Sequence, residues 1–453
     1  FLDDSTKVTN EVLHPTITIN FRYNIQLIRN LSTQELSVVI YNQNNLSQPN
    51  EIQILDLLLN LLLQIDLVMG QNNTSLDHVE GHTENLQEQN ASTENDFQFL
   101  IGRLEDLPNS ARRLFSLGKQ YLTTGSKDGG AGEDNFCSLF KVYHPPQTAR
   151  EHSPDEQGSS VQGVNSGMLD TPLRKSAPLH HFQTFVQWKA AQDLNNFYSL
   201  CLPKRQNIYL QPINAFPEFV HSFSLKSQSL ELGLFETVQA FLQVFFCGLE
   251  VLTLPPVTID DTKEEVRTRV HPVTENQQLC VNDLYPFLQR LLPLNGLCIM
   301  GISWTDIYPE GHNFTLGEAS VQHRAASVSF GRFEFKDFNA STYKDIEQID
   351  GAVLWKLLKS SSHELCHLLG LQHCTFFQCA MNESASVGEA MDQPLFLCPV
   401  CLRKLQKACG FDVLERYLLL QKFLTGVADQ MPDEIKFQEC LKWLDKCISY
   451  LNS

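Results

Sequence analysis

Histidine and glutamate side chains recur at short intervals between residues 363 and 373. The stretch reads H-E-L-C-H-L-L-G-L-Q-H, with His363 and His367 four residues apart and His373 six residues further on. On a helix, residues four apart lie on one face, so both imidazoles can bind one zinc ion. Gly370 lets the chain leave the helix sharply, which predicts that His373 comes round as a third ligand.

Three protein ligands leave a fourth position open for water or a substrate carbonyl, as in catalytic zinc sites. Glu364 follows the first ligand, and we expect its carboxylate to accept a proton from the zinc-bound water, whose pKa the metal lowers to about 7. Two alternatives stay open. The histidines could be solvated or packed in a core without any metal, or the site could bind zinc without catalysing a reaction.

Four cysteines follow the third histidine with metal-ligand spacing. They are Cys374, Cys379, Cys398 and Cys401, and the last two form a C-P-V-C knuckle. Four thiolates fill a tetrahedral zinc and leave no open position, which predicts a structural zinc. A redox-active C-x-x-C pair and a zinc-ribbon nucleic-acid binder are the alternatives.

Two further residues lie within these motifs. Cys366 is three residues from His363, a spacing unsuited to the same ligand set, and we expect it to pack in the core. Met381 lies between the two metal motifs. It could form an apolar floor beneath the histidines or be an ordinary core residue.

The elements that must position these residues form an α/β pattern. One long helix over about Asp345–Leu369 would carry the histidine motif, and an amphipathic helix over Glu434–Leu451 would follow later. The stretch Leu234–Leu252 predicts a buried helix that feeds a strand. Three strands are expected: a short apolar strand, a central strand and an edge strand. They are Asn207–Ile213, Gly296–Trp304 and Ala326–Phe335.

Composition changes along the chain predict four regions. They are a polar extension without assigned structure at 1–95, a helical region at 96–144, a flexible linker or loop at 145–180, and the α/β domain at 181–453. The apolar stretch 54–69 carries a polar stripe of Asp56, Asn60 and Gln64, which favours an amphipathic helix packed on protein over a membrane span.

Charge and cysteine content restrict the function classes. The 453 residues carry a net charge of −18, with 42% hydrophobic residues. An acidic surface repels phosphates, so we expect neither nucleic acid nor a membrane as partner. We expect Arg403, Lys404 and Lys407 to form a solvated face. The 13 cysteines are odd in number and partly clustered, and no signal peptide opens the sequence. This favours an intracellular protein, in the cytoplasm or also in the nucleus.

The full pattern H-E-x-x-H-x-x-G-x-x-H-C-x4-C-x-M-x16-C-x-x-C resembles the signature of the archaemetzincins, a family of zinc metalloproteases. Further segments resemble the same family, among them KRQNIYLQPI, GISWTDIYP, SVSFGRF, CPVCLRKLQ, GFDVLERY and FQECLKWLDKCISYL. The resemblance covers residues 97–453 and leaves 1–95 unplaced.

The resemblance implies two zinc ions per chain. A catalytic zinc would lie on His363, His367 and His373 with Glu364 as general base and Met381 as the Met-turn residue beneath it. A structural zinc would lie on Cys374, Cys379, Cys398 and Cys401.

The implied fold is a metzincin-like α/β domain with a mixed twisted sheet and an active-site helix. The implied substrate is a peptide or small protein, lying extended along the edge strand that we expect within Ala326–Phe335. Cleavage at chain ends and internal cleavage both stay open, as does the oligomeric state. The alternative is a catalytically inactive, zinc-stabilised peptide-binding module.

Overall fold

The chain divides into two units, Phe1–Glu80 and Gly81–Ser453. The structure is a computed structural model. It describes the backbone at 19–20, 23–29 and 36–42, and then residues 94–119, 122, 139–143, 183–198, 206–227, 230–259, 266–271, 275–332, 347–384 and 387–453.

In the first unit, three strands form an antiparallel sheet. They are β1 (Ile19–Asn20), β2 (Tyr23–Arg29) and β3 (Leu36–Asn42), in that order. The predicted amphipathic helix at 54–69 and the predicted linker at 145–180 lie outside the described residues. The four predicted region boundaries stay predictions.

The second unit alternates helices and short strands. Its helices are α1 (94–101), α2 (Asn109–Ser116), α3 (Phe185–Tyr198), α4 (Glu218–His221), α5 (Leu234–Phe245), α6 (Val281–Leu291), α7 (Gly351–Leu368), α8 (Val387–Asp392), α9 (Pro399–Cys409), α10 (Val413–Gln430) and α11 (Ile435–Asn452). Its strands are β4 (Asn207–Ile213), β5 (Leu225–Ser227), β6 (Leu230–Leu232), β7 (Glu250–Thr253), β8 (Thr268–Val270), β9 (Gln277–Cys280), β10 (Gly296–Ser303), β11 (Asp306–Tyr308), β12 (Gly317–Ser320) and β13 (Ala325–Ser329). None of the helices in these described segments is both long and apolar enough to cross a membrane.

The main sheet has the strand order β12-β13-β10-β4-β7. Strands β13, β10, β4 and β7 run parallel, and β12 pairs antiparallel with β13. Alternate side chains of the strands enter two different cores. Ile299 and Tyr209 join the core that contains α6, whereas Met300 and Leu210 join the core that contains α5 and α7. Both faces of the sheet are therefore covered, which explains the nearly continuous apolar run of the central strand.

The predicted edge strand within Ala326–Phe335 was wrong. Strand β13 is paired on both sides, with β10 and with β12, and the edge is formed by β12. All five side chains of β13 are buried, including Ser327 and Ser329. The alternation of small polar and apolar residues therefore did not mark a solvent-facing side, because small hydroxyl side chains can be buried between a sheet and a helix.

Helix α7, which carries the histidine motif, begins later than we predicted. The Asp350 carboxylate accepts a hydrogen bond from the Val353 amide at 2.8 Å and caps the helix. An N-cap aspartate satisfies an amide that has no partner within the helix, so the helix begins immediately after it. Helix α7 then packs beneath β12 and β13. The C-terminal helix agrees with its prediction to within one residue at each end.

The basic residues of α9 do not form the solvated face that we expected. Arg403 and Lys404 are buried, and only Lys407 is exposed. The Lys404 ammonium donates to the backbone oxygen of Gln183, and the Arg403 guanidinium donates to the backbone oxygen of Arg103 and lies 4.8 Å from the Phe185 ring. These hydrogen bonds and the contact with the Phe185 ring hold α9 against the segment that follows α1 and against the start of α3.

Candidate active site and metal centres

Three histidine side chains converge at the end of α7. His363 and His367 extend from successive turns, and their Nε2 atoms lie 3.1 Å apart. His373 reaches the same point from the chain after the helix, with its ring centre 5.4 Å from that of His363 and 4.8 Å from that of His367. One nitrogen of each ring lies within 4.8 Å of the others. The helical spacing that predicted a shared face therefore corresponds to the observed geometry.

The opposite nitrogens of the two helical histidines are held by backbone carbonyls. His363 Nδ1 lies 2.6 Å from the Ala380 oxygen, and His367 Nδ1 lies 2.7 Å from the Leu371 oxygen. A carbonyl can only accept, so each Nδ1 carries the proton and each Nε2 presents its lone pair to the centre of the group. Both rings are oriented as metal ligands require.

Gly370 makes the turn that brings His373 round. Its φ is +83°, a left-handed conformation, and the amides of Gly370 and Leu371 donate to the oxygens of His367 and Cys366 at 2.9 and 3.1 Å. A Cβ atom at this position would lie 2.0 Å from the Gln192 side-chain nitrogen. The left-handed conformation favours glycine here, as the sequence indicated, whereas the Gln192 side chain could move away from a Cβ atom.

Two residues at the start of α3 hold this turn through hydrogen bonds: Trp188 within the helix and Gln183 just before it. The Trp188 indole donates to the Leu369 oxygen at 3.0 Å, and the Gln183 amide donates to the Gly370 oxygen at 3.0 Å. Gln183 Oε1 in turn accepts from the Gln372 amide. Sequence reasoning missed these residues, because no motif connects them with a segment about 180 positions later.

The Glu364 side chain extends from α7 towards the edge strand β12. The residue is only 8% exposed. A Cβ atom built on Gly317 would lie 2.7 Å from Glu364 Cγ and 3.0 Å from its Oε1. The carboxylate therefore occupies the space that a side chain on the strand would need.

Burial sets the charge state around the histidines. It lowers the pKa of His363 well below its usual value, and the neighbouring His367 lowers it further. Burial also lowers the pKa of Lys359 to about 7, against the opposing effect of the Glu364 carboxylate. The neutral imidazole of His363 is the form that binds a metal, and the lowered pKa of Lys359 reduces its average charge at neutral pH.

The four cysteine side chains form a second, fully buried group. One sulfur of each lies within 4.8 Å of the others, and the Sγ atoms of Cys374 and Cys398 are 3.6 Å apart. Cys398 caps α9, and its amide donates to Cys379 Sγ at 3.3 Å. Hydrogen bonds from the other three thiols hold the pKa of Cys374 well below its usual value, whereas burial raises the pKa of Cys379 and of Cys398.

Met381 and Cys366 are both buried. The Met381 oxygen accepts from the Cys374 amide at 2.7 Å, which ties Met381 to the first cysteine. The Cys366 thiol lies in the hydrophobic core, where burial raises its pKa well above its usual value. Cys366 belongs to neither group of converging donor atoms among the described residues, which agrees with the packing role that we expected.

Both groups have the donor chemistry and spacing of zinc sites. Tetrahedral zinc with bonds of about 2.0 Å to nitrogen and 2.3 Å to sulfur separates donor pairs by about 3.3 and 3.8 Å. The observed separations of 3.1 Å between the Nε2 atoms of His363 and His367 and 3.6 Å between the sulfurs of Cys374 and Cys398 are close to these values. The first group has three ligands and the second has four.

Comparison with known proteins gives concordant matches. The model of peptidase family M54 matches residues 268–407. Archaemetzincin-2 of Rattus norvegicus is 31% identical over 304 residues, which cover 58% of this chain and 82% of the rat protein. Archaemetzincin-1 of Homo sapiens is 32% identical over 253 residues, which cover 51% of this chain and 48% of the human protein.

Among solved structures, the archaemetzincin of Methanopyrus kandleri is 19% identical, with a TM-score of 0.34, over 46% of this chain and 97% of that one. The rat relative is matched over most of its length at more than 30% identity, and the M54 model spans every histidine and cysteine of the two groups. The chain therefore belongs to the archaemetzincin family, peptidase family M54, and is a zinc metallopeptidase.

Proposed function

We propose that the chain hydrolyses peptide bonds at a catalytic zinc held by His363, His367 and His373, with Glu364 as general base. A second, structural zinc would be held by Cys374, Cys379, Cys398 and Cys401. The observation that carries the proposal is the convergence of three imidazole nitrogens within 4.8 Å at the end of α7, the helix that also carries the buried Glu364. Cysteines that bind metal must stay reduced, and thiols are kept reduced inside cells, so the cysteine group also supports an intracellular location.

The chain's own residues would bind the substrate and move the proton. When bound, a zinc ion supplies a Lewis acid that polarises the scissile carbonyl and acidifies a water molecule. The Glu364 carboxylate would accept a proton from the attacking water at Oε1 or Oε2 and would then donate it to the leaving amine. Its confinement between α7 and Gly317 restricts the carboxylate to few orientations, which favours proton transfer along one direction.

The substrate would lie along β12, the edge strand that replaces the one we first expected. Ser329 N donates to Leu316 O at 3.0 Å, so residue 316 turns its backbone groups towards β13. Because these groups alternate along a strand, Gly317 and Ala319 turn theirs towards the edge, where no strand pairs within the described part of the chain. The Gly317 oxygen accepts there from Thr315 Oγ1 at 2.7 Å. An extended peptide could pair with this edge. We therefore propose peptides or small proteins with an accessible extended segment as substrates, cleaved internally or at a chain end.

The test is to incubate an unbiased peptide library with the wild-type protein and with Glu364→Gln, and to identify new termini by mass spectrometry. Glutamine keeps the shape of glutamate but cannot accept the proton, so we expect turnover to fall by at least a hundredfold, roughly the contribution of a general base. Zinc content should stay the same. Glu439→Gln, a change of an exposed carboxylate on α11, is the matched control and should cleave as the wild type does.

Cleavage by both the wild type and Glu364→Gln would contradict the role of Glu364. No cleavage by either protein, with two zinc ions bound, would favour the peptide-binding module. The positions of the new termini distinguish trimming of chain ends from internal cutting.

A further inference from the structure

We propose that the two metal sites are coupled: filling the cysteine site raises the affinity of the histidine site for zinc. The connection would be the metal loop, which we define as residues Cys374–Asn382, with Asn382 as its positioning residue. The inference rests on the zinc assignments of the proposed function.

Two of the three histidines depend on the metal loop for their position. His373 directly precedes Cys374, so its backbone moves with the first cysteine. The His363 ring is oriented by its hydrogen bond of 2.6 Å to the Ala380 oxygen, which lies on the same loop. A displacement of the loop would therefore move one histidine and release the ring of another.

The Asn382 side chain closes the metal loop on itself. It is 1% exposed. Its amide nitrogen donates to the oxygens of Cys374 at 2.7 Å and Phe377 at 2.9 Å, and its Oδ1 accepts from the Cys379 amide at 2.7 Å. One buried side chain thus holds both loop cysteines, and all of its contacts are with backbone groups.

Backbone contacts add to this closure, and sulfur contacts join the loop to Cys398, the N-cap of α9, whose Sγ lies 3.6 Å from Cys374 Sγ. The Cys374 amide donates to the Met381 oxygen at 2.7 Å, and the Ala380 amide donates to the Phe396 oxygen at 2.8 Å. The direct contact between Cys379 and α9 is a hydrogen bond of 3.3 Å to its sulfur from the Cys398 amide. Metal–thiolate bonds would join the loop and α9 far more firmly than such a contact.

The cysteine site would therefore pre-organise the histidine site. With thiolates fixed on a common ion, Cys374 and Ala380 keep the positions that present His373 and orient His363. Without that ion, the histidine site must first order the loop, and its apparent affinity falls by the fraction of molecules in which the loop is ordered. Coupling is reciprocal, so filling the histidine site raises the affinity of the cysteine site by the same factor.

The test uses the full chain loaded with two equivalents of zinc, in wild-type and Asn382→Asp forms. Aspartate keeps the acceptor for the Cys379 amide, but it loses the donor to two carbonyls, and the contacts of the Asn382 side chain are with backbone atoms rather than with the sulfurs. A chelating indicator removes zinc in steps, and His367→Gln protein, which keeps the cysteine site alone, identifies the step that belongs to each site. Cobalt loading checks the cysteine site separately, through the absorption of cobalt–thiolate bonds.

We expect the zinc dissociation constant of the histidine site to be at least fivefold larger in Asn382→Asp than in the wild type. A factor of five is about the lower end of typical couplings between two sites. The cobalt–thiolate absorption should remain. Gln378→Ala removes an exposed side chain from the same loop and is the matched control, with release unchanged from wild type. Two equivalents bound with unchanged release from Asn382→Asp would overturn the coupling alone.

A second measurement decides the question if Asn382→Asp does not fold. By reciprocity, His367→Gln should bind cobalt at its cysteines at least fivefold more weakly than the wild type does. Equal affinity in the two proteins would overturn the coupling. A wild-type protein that binds a single equivalent would overturn the catalytic-zinc assignment, and the coupling with it.

Discussion

Glu364 and Gly317 come from elements far apart in the sequence and share one small space. The glycine α-carbon faces the carboxylate where any other residue would place a side chain. The sequence shows Glu364 clearly because it lies inside a motif with fixed spacing. It does not show Gly317, because a glycine in a strand is equally compatible with a bulge, a turn or a close approach.

Replacing Gly317 by alanine tests this contact. The new methyl group would lie 2.7 Å from Glu364 Cγ, and the carboxylate would have to rotate or shift. We expect kcat to fall by roughly tenfold to a hundredfold, since small misplacements of a catalytic group carry costs of this size. KM and zinc content should change little, because no zinc ligand is displaced.

Gly426→Ala is the control for that experiment. A Cβ atom at Gly426, in α10, meets no atom within 4 Å. Steady-state kinetics and metal analysis of both variants provide the measurement. A normal kcat in Gly317→Ala would contradict the claim that the contact orients the general base.

Sequence spacing predicted the residues of both metal groups, because ligands of one ion recur at short intervals along one helix or loop. It did not predict the residues that hold them. Gln183 and Trp188 precede the turn that they fix by about 180 positions, and Asn382, although it follows Met381, is not itself a position of the motif. Hydrogen bonds of this kind follow from tertiary packing, which one sequence without its fold does not show.

At the scale of elements, the apolar runs predicted the central strand and helix α5 with the strand that follows it, and an amphipathic pattern predicted the C-terminal helix. The error fell on the edge of the sheet. Strand β12 (GEAS) is short and has no apolar run, whereas β13 looks half polar although it is buried. Edge position depends on which strands pair, and periodicity within a single strand carries no information about pairing.

A buried histidine beside the small sheet, whose strand order is β11-β9-β8, should make the stability of the protein depend on pH. His271 follows β8, is 1% exposed and lies near Arg332. Burial, aided by Arg332, lowers its pKa from 6.5 to about 4. Between these values the unfolded chain binds more protons than the folded chain, so stability falls as the pH is lowered through this range. Once His271 is protonated in both the folded and the unfolded chain, the free energy of unfolding is lower by about 3 kcal/mol than at neutral pH.

We expect His271→Gln to lack this part of the acid destabilisation. Urea unfolding at pH 7.5, 6, 5 and 4.5 would give the free energy of unfolding for the variant and the wild type, and zinc release by acid is common to both. His221→Gln, at an exposed position in α4, should follow the wild-type curve. Parallel curves for His271→Gln and the wild type would contradict the prediction.

At the scale of the whole molecule, all of the proposed site residues lie in the second of the two units. Every histidine, cysteine and glutamate of the proposed sites lies in Gly81–Ser453. The Phe1–Glu80 unit contains a three-stranded sheet in its described part and none of the proposed ligands. The sequence could not assign it a role, since the resemblance to the family begins only at residue 97.

Deleting residues 1–80 should therefore leave two zinc ions bound and peptide cleavage within about threefold of the full chain. Deleting α11 should instead abolish folding, because Phe437, Leu444 and Cys447 fill the core. Metal analysis, circular dichroism and the peptide library compare the two deletions. Loss of zinc from the first deletion would show that the N-terminal unit supports the sites.

The contact between Leu139 and Trp443 has a consequence for biosynthesis. The Trp443 indole donates to the Leu139 oxygen across 304 positions of sequence, and the Leu139–Tyr143 segment pairs with the metal loop through Val142 and Phe377. At about 5–20 residues per second, a ribosome needs roughly 15–60 s to make that interval. The segment that covers the loop is therefore made first but anchored late. The thiols themselves precede Trp443 by only 69 (Cys374) to 42 (Cys401) positions. About 2–14 s of synthesis therefore separate each thiol from this late anchor, and in that time metal capture competes with thiol oxidation.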